Sequence, residues 1–250
     1  MKTREYMMKT REYMMKTREY KMKTREYMMK TREYMMKTRE YRERNRVRNR
    51  EYRKYDIIHV CNRIIYILTV NVTLDADSAH PRLIVSHDGK QVRYEEKQHV
   101  GVKNEDKGQN NKFDEWFCIV GNEGFSSGCF YYEVQVKGAD WWCVGVTRES
   151  AQRKGELYVD TKYGYWTVGL SGGQYYAGDV HRLFLSVNPE KIGLFVDYEK
   201  GRVSFYDVKS MCHIHSFTDQ SFTETLFPFI HLGSKYFYSS VPLIICSDLL

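Results

Sequence analysis

The chain has 250 residues, a formal net charge of +7 and 15% aromatic residues. That length sets an expectation of one or two domains. The charge is lopsided: residues 1–55 carry 20 Lys and Arg against 8 Glu, while the remainder carries 19 basic and 24 acidic residues, so a basic tail joins a mildly acidic body and a uniformly cationic nucleic-acid-binding domain is excluded.

Residues 1–42 are six copies of a seven-residue unit, MKTREY plus one variable residue. The apolar positions of the unit are its first, sixth and seventh, which spread around a helix instead of forming a coiled-coil seam. Glu5 with Lys9 and Glu12 with Lys16 are favourable i,i+4 pairs, so the tail reads as a solvated helix or a disordered segment. Residues 42–55 continue the basic character as a linker or an arginine-rich RNA-binding segment. Residues 56–71 form an apolar linker interrupted by Asn62 and Arg63, too short to span a bilayer.

From Val72 the texture changes to short strands with turn residues between them. Strands are predicted at 82–86 and 91–94 around a turn at 87–90, followed by a polar, glycine-containing loop over 95–112 and a strand at 116–120. The stretch 129–148, CFYYEVQVKGADWWCVGVTR, holds two alternating runs. Tyr132, Val134 and Val136 share one face of the first, and Trp142, Val144 and Val146 share one face of the second. This period of two predicts a half-buried antiparallel hairpin turning near Gly138. Further strands are predicted at 163–170 and 174–177 around 171–173, at 183–187, at 192–197 and 202–208 around 198–201, and at 213–217, 226–230 and 243–246. About a dozen strands with turn signals and no long helical period define an all-β sandwich or barrel.

The six cysteines include no C-x-x-C pair, and several lie in apolar strand-like runs, where a thiol acts as a small hydrophobe. Reduced, buried thiols place the expectation in the cytoplasm, and the charged repeats at the start do not read as a secretory leader. Cys212-His213-Ile214-His215 has metal-ligand residue types, but on a strand the histidines face away from Cys212 and no fourth ligand is evident, so no metal is expected. Asp197-Tyr198-Glu199 reads as a hairpin turn, and no nucleophile elbow or phosphate loop is present, so neither catalysis nor a cofactor is expected.

Three ordered blocks carry a family resemblance. They are residues 72–83, opening VTLD and reaching AHPRL; residues 128–136, GCFYYEVQV; and residues 193–205, GLFVDYEKGRVSF. Over residues 72–250 the chain resembles the PRY-SPRY (B30.2) domain of tripartite-motif proteins, butyrophilins and some fish NOD-like receptors. The resemblance implies a bent, two-sheet antiparallel β-sandwich of the concanavalin A-like jelly-roll type behind the basic tail. It also implies a non-catalytic module that binds a protein partner through loops at one end, in innate-immune or ubiquitin-pathway signalling. The chain departs from the family's usual pattern at Tyr132, where Trp is common; at Ala76, where Pro is common; at Gly169, where many members have a second Trp; and at Cys143, where polar residues are common.

Trp141 and Trp142 are adjacent on a strand, so a core Trp142 leaves Trp141 pointing outward, either as a binding anchor or under a neighbouring loop. The partner-binding surface is expected to draw on Asp106 and Asn110 in the long loop, Trp141, Arg148 and Arg153 in the following connection, Ser171 with Tyr175 and Tyr176, and Lys235 and Tyr236. No small-molecule substrate is expected. The alternative reading is a nucleic-acid or anionic-membrane binder driven by residues 1–55.

Overall fold

The computed structural model describes residues 68–96, 111–178, 181–185 and 187–246. The repeat tail, most of the apolar linker, Asp106 and Asn110 lie outside the described residues. Thirteen strands form among the described ones: β1 (Leu83–Val85), β2 (Gln91–Tyr94), β3 (Trp116–Val120), β4 (Cys129–Gln135), β5 (Trp142–Arg148), β6 (Tyr165–Ser171), β7 (Gln174–Ala177), β8 (His181–Leu183), β9 (Lys191–Asp197), β10 (Arg202–Asp207), β11 (Cys212–Phe217), β12 (Leu226–Ser234) and β13 (Leu243–Cys246). Seven make one sheet in the order β1-β2-β13-β4-β9-β10-β11, and six make the other in the order β3-β12-β5-β6-β7-β8. All strand pairings are antiparallel. The expected hairpins β1–β2, β6–β7 and β9–β10 are all present.

The 129–148 stretch is not a hairpin. β4 pairs with β13 and β9, whereas β5 pairs with β12 and β6, so the turn at Gly138 carries the chain from one sheet to the other. Alternation alone cannot separate the two arrangements, because each run buries one face either way. Here the apolar face of β4 (Tyr132, Val134) looks across the sandwich at that of β5 (Trp142, Val144, Val146), and both join one core with Ile192, Leu194, Phe205 and Ile230.

A buried hydrogen bond joins the two layers. Tyr132 is 1% exposed, and its hydroxyl donates to the Gly145 carbonyl of the facing sheet at 2.5 Å. Burial pushes the Tyr132 phenol far above its ordinary pKa, so it stays a protonated donor. Gly145 has no side chain for a packing reason: a Cβ there would lie 2.1 Å from the Trp166 carbonyl oxygen. On the outer face of β4, Glu133 is buried although it points away from the core; Tyr131 donates to it at 3.0 Å and the Lys191 ammonium lies 3.6 Å away.

A second apolar layer lies on the outer face of the six-stranded sheet. Phe113, Ala151, Leu157 and Val159 pack there with Cys118, Val120, Tyr165 and Phe229. The 151–159 segment is tied down by three polar contacts: Tyr165 donates to the Gln152 carbonyl at 2.5 Å, Arg153 to the Asn111 carbonyl at 3.1 Å, and the Gly155 amide to Asp114 at 2.8 Å. Leu157 and Val159 of this segment also line an open groove beside Trp141.

Replacing Tyr132 with Phe keeps the ring and removes the cross-sheet donor, leaving the Gly145 carbonyl without that partner. The expected loss is about 1–3 kcal/mol of stability, read as a lower urea midpoint with an unchanged denaturant slope.

Candidate functional site: an aromatic groove at one end of the sandwich

Strand register gathers several connections at one end. Trp142 opens β5 opposite Leu170 near the close of β6, Ser171 faces Gln174 across the β6–β7 turn, and His231 near the close of β12 faces Cys143. The β4–β5, β6–β7 and β12–β13 connections therefore lie together. On the outer face a row of residues runs across neighbouring strands, Cys118–His231–Cys143–Gly169–Tyr176.

Over this row lies an open groove of about 340 Å³. Trp116, Trp141, Tyr176 and Phe237 contribute its aromatic walls, and Cys143, Gly169 and His231 line it. The Trp141 ring meets His231 edge-on at 4.5 Å, Trp116 meets it at 5.4 Å, and Phe237 lies 5.8 Å from Trp141. No Asp, Glu, Asn, Gln, Lys or Arg lines the groove. His231 is 3% exposed and donates from Nε2 to the Gly233 carbonyl at 3.0 Å. Burial lowers its pKa to about 3, so it is neutral at physiological pH. Trp141 is half-buried, and its indole N–H is buried without a hydrogen-bond partner.

Gly169 opens the groove on this side. A Cβ at this position would meet the Trp142 carbonyl oxygen at 2.6 Å and the Cys143 Cβ at 3.1 Å. Phe237 in the wall is 47% exposed, and next to it in the chain Tyr236 is 79% exposed, with the Lys235 ammonium 5.2 Å above its ring.

Of the residues expected at the partner surface, Trp141, Ser171 and Tyr176 line the groove together, and Lys235 and Tyr236 immediately precede its wall residue Phe237 in the chain. Tyr175 is adjacent in sequence but turns inward, packing on Trp142 with its hydroxyl on Asn188. Arg148 closes β5 six residues after Trp142, about 20 Å away at the usual strand rise. There its guanidinium faces Glu224 at 3.9 Å, at the other end of the sandwich. Arg153 lies over the Phe113 ring at 5.8 Å and ties the 151–159 segment to Asn111.

Sequence reasoning missed Trp116 and His231. Trp116 alternates with the core residue Phe117, which places it outward. His231 lies one residue past the strand expected at 226–230, because β12 continues to Ser234. In the Cys212–His215 stretch, Cys212 is exposed, His213 contacts the Ser216 hydroxyl, and His215 lies 5.4 Å from His181 of the opposite sheet. Among the described residues no group of three or more His, Cys, Asp or Glu is placed to hold a metal ion.

A sandwich of two antiparallel sheets, with an aromatic groove and protruding loop aromatics at one end, defines a β-sandwich recognition module. The SPRY domain family model matches residues 129–243, and that of the SPRY-associated domain, PRY, matches residues 72–125. The chain is a member of the PRY-SPRY (B30.2) family, whose domains are generally protein-interaction modules. It is 39% identical over 180 residues to bovine butyrophilin subfamily 1 member A1, covering 71% of this chain and 32% of the relative. With human butyrophilin subfamily 2 member A2 it shares 35% over 189 residues, covering 75% of this chain and 34% of the relative. It thus spans about a third of the length of these relatives. Among solved structures, the TRIM65 PSpry domain superposes with a TM-score of 0.61 at 19% identity, over 75% of this chain and 95% of that one. Stonustoxin gives a TM-score of 0.61 at 23% identity, over 74% of this chain and 30% of that one; both likenesses show the fold alone.

The buried histidines make stability pH-dependent. His80 is lowered to about 4 and His231 to about 3, chiefly by burial, against an unfolded value of 6.5. The unfolded chain therefore binds more protons below pH 6.5, and stability present above that pH is lost as pH falls through 6.5 toward 4 and 3. Urea midpoints measured between pH 7 and pH 4 should fall on acidification. The slope should flatten by about one proton in His231→Phe.

Proposed function

We propose that this PRY-SPRY domain is a non-catalytic reader that grips a protein partner in the groove beside Trp141. The observation that carries the reading is the groove itself: half-covered and exposed aromatics ringed by the polar turns of three connections, the composition of a protein-binding hot spot. The likeness to butyrophilins supports a place in immune or ubiquitin-pathway signalling. The free thiols Cys118, Cys129, Cys212 and Cys246 support a reducing, cytoplasmic setting. Among the described residues no helix is long and apolar enough to cross a membrane.

A second reading is favoured by one feature, the excess of 20 basic over 8 acidic residues in 1–55. In it the tail attaches the chain to nucleic acid or anionic lipid. Deleting residues 1–55 discriminates between the readings, since binding that resides in the tail is lost and binding in the groove persists.

Partner capture by the full chain should fall at least tenfold in Trp141→Ala and remain unchanged in Arg148→Ala, with folding checked by melting. Quantitative cross-linking of captured proteins reads both. Loss with Arg148→Ala and retention with Trp141→Ala would move the site to the far end of the sandwich.

A further inference from the structure

The outer face of the seven-stranded sheet, on the far side of the sandwich from the groove, carries aromatic residues where water-facing strands carry polar ones. Register places Tyr131 of β4 beside Phe195 of β9 and Ser204 of β10, and in the next row Cys246 of β13 beside Glu133, Gly193 and Tyr206. Their strand neighbours Tyr132, Leu194, Phe205 and Ile245 point into the core, so these side chains point away from it. Tyr131 is nevertheless only 3% exposed. Tyr131, Phe195 and Tyr206 belong to neither apolar cluster among the described residues. The Tyr131 phenol lies over Gly193, where a Cβ would run into its hydroxyl, and donates to Glu133, whose other partner is Lys191. A ring on an outward sheet face is shielded this fully when a further element packs over the sheet.

We propose that residues 58–68 of the same chain form an amphipathic helix that docks on this face, over Tyr131, Phe195 and Tyr206. The chain arrives at the right place. The Val70 amide donates to the Tyr131 carbonyl at 2.9 Å and Thr69 bridges Tyr131, along the β4 edge that β13 occupies from Glu133 to Gln135. Leu68, one residue earlier, is helical. The sequence before it has the period a docking helix needs. At about 100° per residue, Ile58, Cys61, Ile64, Ile65 and Leu68 share one side, and His59, Asn62, Arg63 and Tyr66 share the other. Such a helix is about 16 Å long, and the four strands from β13 to β10 span about 14 Å. The apolar stripe brings no charge to the sheet, and Glu133 beneath it is already satisfied by Tyr131 and Lys191. A second copy or a lipid surface would have to displace a segment tethered beside the face at high effective concentration. The folded domain then begins near residue 58, upstream of the family match that starts at residue 72.

The test uses the full chain. Ile65 is replaced by photoreactive benzoylphenylalanine, the protein is irradiated in the presence of phosphatidylserine vesicles, and the products are mapped by mass spectrometry. Cross-links within one molecule to residues 129–135, 191–197 or 202–207 are expected. Cross-links between two molecules, cross-links to lipid, cross-links confined to other parts of the chain, or none at all would overturn the proposal. A second measurement reads the cover from the sheet side. Ile64→Ser with Ile65→Ser should uncover the half-buried Cys246, raising its alkylation by iodoacetamide at least fivefold relative to the exposed Cys212. His59→Ser with Asn62→Ser, on the outward side of the helix, should leave that ratio unchanged. An unchanged Cys246 ratio in the first variant, or an equal rise in the second, would contradict a docked helix. If the first variant fails to fold, the cross-linking result decides alone.

Discussion

The Tyr132 hydroxyl reaching across the sandwich to the Gly145 carbonyl is the constraint from which the rest of this structure follows. It fixes β4 against β5 as facing layers, so the short turn between them must arch over the end of the core. That arch puts Trp141 at the mouth of the outer groove and Trp142, one residue on, inside the core. Gly145 itself carries no side chain for a separate reason, because a Cβ there would run into the Trp166 carbonyl oxygen and Thr167 of the neighbouring strand β6. Where the family commonly places Trp at position 132, this chain substitutes a ring whose polar tip finds a partner in the opposing sheet, as a buried Tyr must.

The groove reads as the complement of this construction. The 151–159 segment packs its apolar layer on the outer face, and its Leu157 and Val159 also border the open, largely aromatic groove. Arg153 is engaged on Phe113 and Asn111 and Arg148 beside Glu224, and Lys235, next to the groove wall, lies over the Tyr236 ring without lining the groove. An uncharged groove follows, and it differs in kind from a site built to hold phosphate.

Much of the fold was legible in the sequence, since strand alternation and turn residues are local signals. The β1–β2, β6–β7 and β9–β10 hairpins and the inward residues of β4 and β5 follow from them directly. The arch between β4 and β5 was not legible, because a hairpin and a sheet-to-sheet crossing bury the same alternate residues. Tyr175 and Tyr176 illustrate the same point at the site: neighbouring in sequence, they face opposite sides of one strand, so only Tyr176 lines the groove. Arg148 lies at the far end because strand polarity, not sequence distance from Trp141, sets the end at which a residue emerges. His231 depended on where β12 stops, and strand ends are the least local feature of all.

Hydrogen exchange of the full chain, with and without a captured protein partner, tests the account most directly. New protection should fall on residues 141–143, 169–178 and 231–238, around the groove. Protection confined to the opposite end, at Arg148, Gly164 and Glu224, would contradict it.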